Sequence, residues 1–82
     1  MLKIYGSEQC RDCVICKNEL DAAGVEYLYL NISENLLFLK KFLKLRDEEP
    51  TFDEIRKAGK IGIPCIVRED GTVTLEWSEF LK

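Results

Sequence analysis

A strand, a helix and a second strand fill the first thirty residues with almost nothing between them, which leaves few ways to fold. Leu2 to Tyr5 is a short β-prone run, followed by the polar loop Gly6-Ser7-Glu8-Gln9. From Cys10 the pattern turns helical, with Cys13, Cys16, Leu20 and Ala23 on one face, and Gly24 is a natural left-handed cap that ends it at Ala23. Val25 to Leu30 alternates and then runs almost continuously apolar, the signature of a buried strand. A crossover of this kind is right-handed in nearly all proteins, so the two strands are expected to lie parallel.

The remainder extends the alternation. Ser33 is expected to cap a second helix running to about Arg46, with a broad stripe of Leu36, Leu37, Leu39, Phe42, Leu43 and Leu45. After Pro50, Thr51-Phe-Asp-Glu54 has the form of a capping box and predicts a third, short helix that stops at Gly59. Ile61 to Val67 reads as an apolar strand interrupted by Pro64, and Asp70-Gly71 fits a two-residue type I′ hairpin into Thr72 to Glu76. The tail from Trp77 to Leu81 has the spacing of a single helical turn. The order β-α-β-α-α-β-β predicts one α/β domain over residues 1–82. Its four-stranded mixed sheet is expected in the order 2-1-3-4, with helices on both faces and an extra helix before the third strand.

Charge and hydropathy narrow the function. The net charge is −3 and no basic stripe occurs, which argues against nucleic acid or an anionic membrane as partner. Apolar runs such as Leu36 to Leu39 are too short to span a bilayer. Met1-Leu-Lys-Ile-Tyr5 does not read as a signal peptide, so a cytoplasmic location is expected. In that compartment structural disulfides are rare, and four cysteines point to chemistry.

Three of the four cysteines share one segment, Cys10-Arg-Asp-Cys13-Val-Ile-Cys16, in a chain with no histidine. A cysteine at a helix start faces unpaired N–H groups and a partial positive charge, which favour thiolate over thiol. Arg11 adds to that effect and Asp12 opposes it. Cys13 lies one turn further on, within reach of a small disulfide ring. Cys10 is therefore the candidate nucleophile and Cys13 the candidate resolving thiol, and no bound cofactor is needed. The C-x-x-C spacing next to a βαβ pattern is a thioredoxin-like signature, although zinc knuckles share it. Gly62-Ile-Pro64 adds weight, because proline cannot donate to the ladder of a central strand. A cis Ile63–Pro64 bond resolves the anomaly and exposes the backbone of residue 63 beside the dithiol, where an extended substrate can pair. A trans proline opening an edge strand is the alternative. Arg11, Asp12, Ile63 and Pro64 are thus the expected substrate-binding residues.

Lys3-Ile-Tyr5, the Cys10-x-x-Cys13 helix, Leu30-Asn31-Ile32 and Gly62-Ile-Pro64 together resemble a glutaredoxin, over nearly the whole chain. The resemblance is to the short bacterial glutaredoxin-related proteins. It implies a thioredoxin fold and the reduction of protein disulfides or glutathione mixed disulfides. The family takes its electrons from glutathione, a reductant that does not carry over to this chain, and a monomer is expected. By motif match Cys10 is similar to the family's nucleophile, Cys13 to its resolving cysteine, and Ile63-Pro64 to its Val-Pro substrate-binding step. The chain also departs from the family pattern. Cys10-Arg-Asp-Cys13 replaces C-P-Y-C, Ser7 replaces a frequent lysine, and Thr74-Leu-Glu-Trp77 stands where a Gly-Gly-x-Asp stretch grips glutathione. An insertion, Asp47 to Lys60, precedes the third strand, and its Arg56 and Lys60 are weak substitutes for the missing anion contacts.

Two sulfurs remain. Cys16 is expected to pack as a small hydrophobe, with an auxiliary thiol as its alternative role. Cys10, Cys13, Cys16 and Cys65 also suggest a metal or iron–sulfur site. Side chains alternate across a strand, however, so Cys65 is expected on the face opposite Pro64, and a continuous helix splays Cys10 from Cys16. A non-catalytic adaptor that binds through the acidic insertion is the third reading. Tyr5 and Trp77 are candidates to flank the dithiol, with docking of Trp77 against the sheet an equal alternative.

Overall fold

The protein is described by a computed structural model covering residues 1–81. Strands β1 (Leu2–Gly6), β2 (Tyr27–Asn31), β3 (Cys65–Val67) and β4 (Val73–Thr74) form a four-stranded sheet in the order β2-β1-β3-β4. The first pair is parallel, with Leu2 opposite Tyr27 and Gly6 opposite Asn31, as the crossover requires. β3 runs antiparallel to β1, with Tyr5 opposite Cys65, and β4 antiparallel to β3. The α/β class, the mixed sheet and its order agree with the sequence reading.

Alternation along the strands divides the core in two. Ile4 and Ile66 point to one face and close against Cys16 and Leu20 of helix α1 (Arg11–Ala22), with Trp77 and Phe80 of a 3-10 turn (Trp77–Phe80) beside them. Tyr5, Leu30, Cys65 and Val73 point to the other face. There they meet Phe42 of helix α2 (Leu36–Glu48) and Phe52, which precedes helix α3 (Asp53–Lys57). The Phe42 ring lies 6.2 Å from Tyr5 and 6.0 Å edge-on from Phe52, spacings at which aromatic pairs attract.

Several local expectations change. Asn35, not Ser33, caps α2: its Oδ1 accepts from the N–H of Leu37 at 2.9 Å and of Phe38 at 3.1 Å. Ser33 is engaged elsewhere, with its N–H and hydroxyl on Asn31 Oδ1. The Thr51–Glu54 capping box does not form. Pro50–Phe52 makes a 3-10 turn, Phe52 is wholly buried, and Thr51 Oγ1 reaches the Val73 carbonyl at 3.5 Å instead. The apolar stripe of α2 is only partly used: Phe42 is buried while Leu36, Leu37 and Leu43 are exposed. β2 is an edge strand, which leaves Leu28 exposed.

The third strand begins at Cys65 rather than Ile61, because Gly62 holds φ +93°, a left-handed value outside any ladder. The hairpin turns through three residues rather than two. Arg68 N–H donates to the Thr72 carbonyl at 2.8 Å and Gly71 N–H to the Arg68 carbonyl at 2.9 Å. Gly71 has φ +89° and Asp70 does not share a positive φ, so the turn is type I with a glycine bulge. No helix among the described residues is long and apolar enough to cross a membrane.

Candidate active site

The loop between β1 and α1 is tied at both ends before it delivers Cys10. Ser7 is buried, and its carbonyl accepts the Cys10 N–H at 3.1 Å. Its hydroxyl accepts the Gln9 N–H at 3.1 Å and meets the Ser33 hydroxyl at 2.6 Å. Ser33 in turn donates to Asn31, so the relay runs from Gln9 through Ser7 and Ser33 to the end of β2. The two loops that follow the paired strands β1 and β2 therefore hold each other, and the start of α1 is fixed relative to the sheet.

Cys10 is the N-cap of that helix, with extended φ −98° and ψ 118°. Its Sγ accepts the Cys13 N–H at 3.4 Å, one of the unpaired donors every helix start presents. The Cys10 thiol lies 3.9 Å from the Ile63 carbonyl, across a cis Ile63–Pro64 bond. Cys10 is half-buried, while Cys13 is wholly buried one turn behind it. All four cysteines are free thiols. Burial pushes the Cys13 thiol up to about 12; the Cys10 sulfur adds to the rise and the Ser7 N–H opposes it.

A groove of about 820 Å³ opens beside Cys10. Ile55, Ile61, Leu75 and Trp77 wall it, Ile63 and Pro64 form its floor next to the sulfur, and Asp12 and Lys60 supply its charges. Arg46, at the end of α2, holds the wall in place: Nε donates to the Ile61 carbonyl at 2.9 Å and Nη2 to the Lys60 carbonyl. Gly62 is required at the same bend, because a Cβ there would sit 2.6 Å from Phe52 Cε1.

Of the sequence candidates, Cys10, Cys13, Asp12, Ile63 and Pro64 come together here. Arg11 is exposed and lies outside the groove lining. Arg56 is also turned away from it, bonded to the carbonyls of Arg46 and Glu49 and to Asp53. Tyr5 packs in the far core with Phe42. Trp77 does reach the groove, and its Nε1 donates to Glu19 at 2.8 Å. Cys16 is buried against Ile4 and Leu20, its thiol raised to about 11 by burial and then by the Glu19 charge. Cys65 lies across the sheet among Tyr5, Phe42 and Phe52, and burial with the Glu49 charge raises it to about 12. Among the described residues no three Cys, Asp or Glu side chains converge as a metal-ligand set. Sequence reasoning missed Arg46, the Ser7–Ser33 pair and Tyr29. None belongs to a motif, and each acts on a neighbour far away in sequence.

Comparison with known proteins adds a relative but no activity. The chain is 36% identical over 76 residues to an uncharacterized protein of Haemophilus influenzae, a match that spans 93% of this chain and 88% of the relative. The chain belongs to that protein's family. No family model matches it, and no solved structure matches it.

Proposed function

We propose that this protein is a glutaredoxin-like thiol–disulfide oxidoreductase of the thioredoxin fold, with Cys10 as nucleophile and Cys13 as resolving thiol. The observation that carries the reading is the graded exposure of two adjacent sulfurs. One caps a helix at the rim of a groove, and the other is wholly buried one turn behind. Cys10, as thiolate, attacks a disulfide R–S–S–R′ and forms Cys10–S–S–R with release of R′–SH. Cys13 then attacks Cys10 Sγ, closing the Cys10–Cys13 disulfide and releasing R–SH. The released thiols carry the two electrons, and a reducing thiol returns the protein to its dithiol form.

The substrate is a protein disulfide or a glutathione mixed disulfide, met by a monomer in the cytoplasm. Apolar walls suit a polypeptide segment, and Ile63 presents its backbone to an extended chain beside Pro64. Asp12 borders the sulfur from the first turn. Arg11, on the exposed side of that turn, meets only the outer part of a bound partner.

Mixing a Cys13→Ser variant with an oxidised protein substrate is expected to trap a mixed disulfide at Cys10, located by peptide mass spectrometry. Trapping at Cys16 alone would refute the assignment.

A further inference from the structure

We infer that Tyr29 is a positioning residue for the resolving step: its hydroxyl donates to the Cys13 sulfur as that sulfur gives up its proton. The inference rests on the oxidoreductase reading and extends it to a side chain on β2 that lies outside every motif.

The starting observation is a buried hydroxyl with no partner. Tyr29 Oη is shut off from solvent and makes no hydrogen bond in ordinary geometry. Burying a hydroxyl without a bond is costly, and native proteins rarely leave one so. Its surroundings identify the group it serves. A Cβ built on Gly6 would stand 2.6 Å from Tyr29 Oη and 3.1 Å from Cys13 Sγ, so both atoms converge on the space this glycine leaves open. The two side chains also act on each other electrostatically: burial is the main cause that lifts Tyr29 above its ordinary range, and Cys13 is the next.

The fit improves as the reaction proceeds. A neutral thiol is a weak acceptor, and Oη gains little from it in the resting protein. A thiolate is a strong acceptor, and a hydrogen bond to an ion is about twice as strong as one between neutral groups. The balanced step is Cys13–SH + Cys10–S–S–R → Cys10–S–S–Cys13 + R–SH. The Cys13 proton ends on the leaving thiol, and Tyr29 keeps its own.

The other charged and titratable groups around this pair are few. On the α1 side, Lys17 Nζ stands 4.3 Å over the Tyr29 ring and bonds Glu8 at 2.7 Å, so each of these charges already has a partner. Cys10 and Cys16 both raise Cys13, and Cys10 and Glu8 both raise Tyr29. Along β2, Tyr27 is bonded to Asp21 at 2.7 Å. The Ser7 N–H is the remaining group that favours a Cys13 thiolate.

Tyr29→Phe keeps the ring beneath Lys17 and removes only the hydroxyl. The full-length protein is treated with dithiobis(nitrobenzoate), which releases one coloured thiolate when Cys10 is modified and a second when Cys13 resolves the mixed disulfide. Tyr29→Phe is expected to leave the first release within twofold. The second is expected to slow about tenfold at neutral pH, its pH profile displaced about one unit to the alkaline side. Gly6→Ala, which drives a methyl between the two atoms, should slow the same step. Thermal melting checks that Tyr29→Phe is folded, and loss of an unsatisfied hydroxyl should leave its stability level or slightly higher. An unchanged second release and pH profile in Tyr29→Phe would overturn the inference while the proposed function stands. A wild-type protein with no second release at all would overturn both.

Discussion

Cys13 and Cys65 are both wholly buried, and in both burial raises the thiol to about 12, yet they occupy different chemical positions. Cys13 lies behind a reachable sulfur at the start of a helix, and Ser7, Gly6 and Tyr29 crowd around it. Cys65 lies across the sheet among three aromatic rings with no second sulfur in its core cluster. Burial and acidity alone do not separate them. What does is the element each occupies, since a helix start sets two sulfurs one turn apart and a central strand buries one alone.

The sharpest contrast is in access. Brief treatment of the native protein with iodoacetamide, followed by peptide mass spectrometry, is expected to label Cys10 first. Cys16 and Cys65 react only through openings of the core, which slows them by at least about a thousandfold if those openings cost roughly 5 kcal/mol. Labelling of Cys65 at the rate of Cys10 would erase the distinction between the two faces.

Alkaline pH sets the two faces against a common load. Cys13, Cys16 and Cys65 all keep their protons above the ordinary thiol value of 9.0. Below that value neither the folded nor the unfolded chain ionises them, and stability is level. Between about pH 9 and pH 11–12 the unfolded chain loses these protons while the folded chain retains them, so stability falls as pH rises. Each thiol contributes a slope of up to about 1.4 kcal/mol per pH unit. Urea unfolding at a series of pH values measures the slope. Cys65→Ala should flatten it without touching disulfide exchange, and an unaltered slope would mean that Cys65 is not held as a buried thiol.

Gly62 joins the two faces. Its φ of +93° and the Phe52 ring, which a Cβ on this residue would meet at 2.6 Å, belong to the far core, while the next residue presents its carbonyl to Cys10. Gly62→Ala is expected to cost about 2–3 kcal/mol by urea unfolding, from the left-handed backbone and from displacement of a fully buried ring. If the groove depends on that core, exchange slows in the variant even under conditions where it remains folded. A variant with full stability would show that Phe52 yields freely and that the far face does not shape the site.

How much of this is written in local sequence follows the same division. The βαβ start, the sheet order and the Cys10–Cys13 helix depend on periodicity and caps, which act over a few residues. Ser33 and Thr51 cap no helix because their hydroxyls are engaged elsewhere, Ser33 with nearby Asn31 and distant Ser7, Thr51 with the distant Val73 carbonyl. Asp70-Gly71 is not a two-residue turn because Arg68 and Thr72 close the strands one residue further out. Arg46 and Tyr29 carry no local signature, since a guanidinium on two distant carbonyls and a hydroxyl beside a thiol appear only after packing.

The smallest effect tests the third sulfur of the segment. Cys16 shares a helix with the dithiol and yet faces Ile4, Leu20 and Ile66 in the near core. As a packing residue it should behave like any small buried side chain, so Cys16→Ala is expected to cost about 1 kcal/mol in urea unfolding. Exchange rates and the identity of the trapped cysteine should not change. A resolving role predicts the reverse pattern, with stability nearly level and the mixed disulfide at Cys10 living longer. Since Cys16 lies two turns from the N-cap and its thiolate is disfavoured by burial and by Glu19, packing is the outcome that geometry and charge favour together.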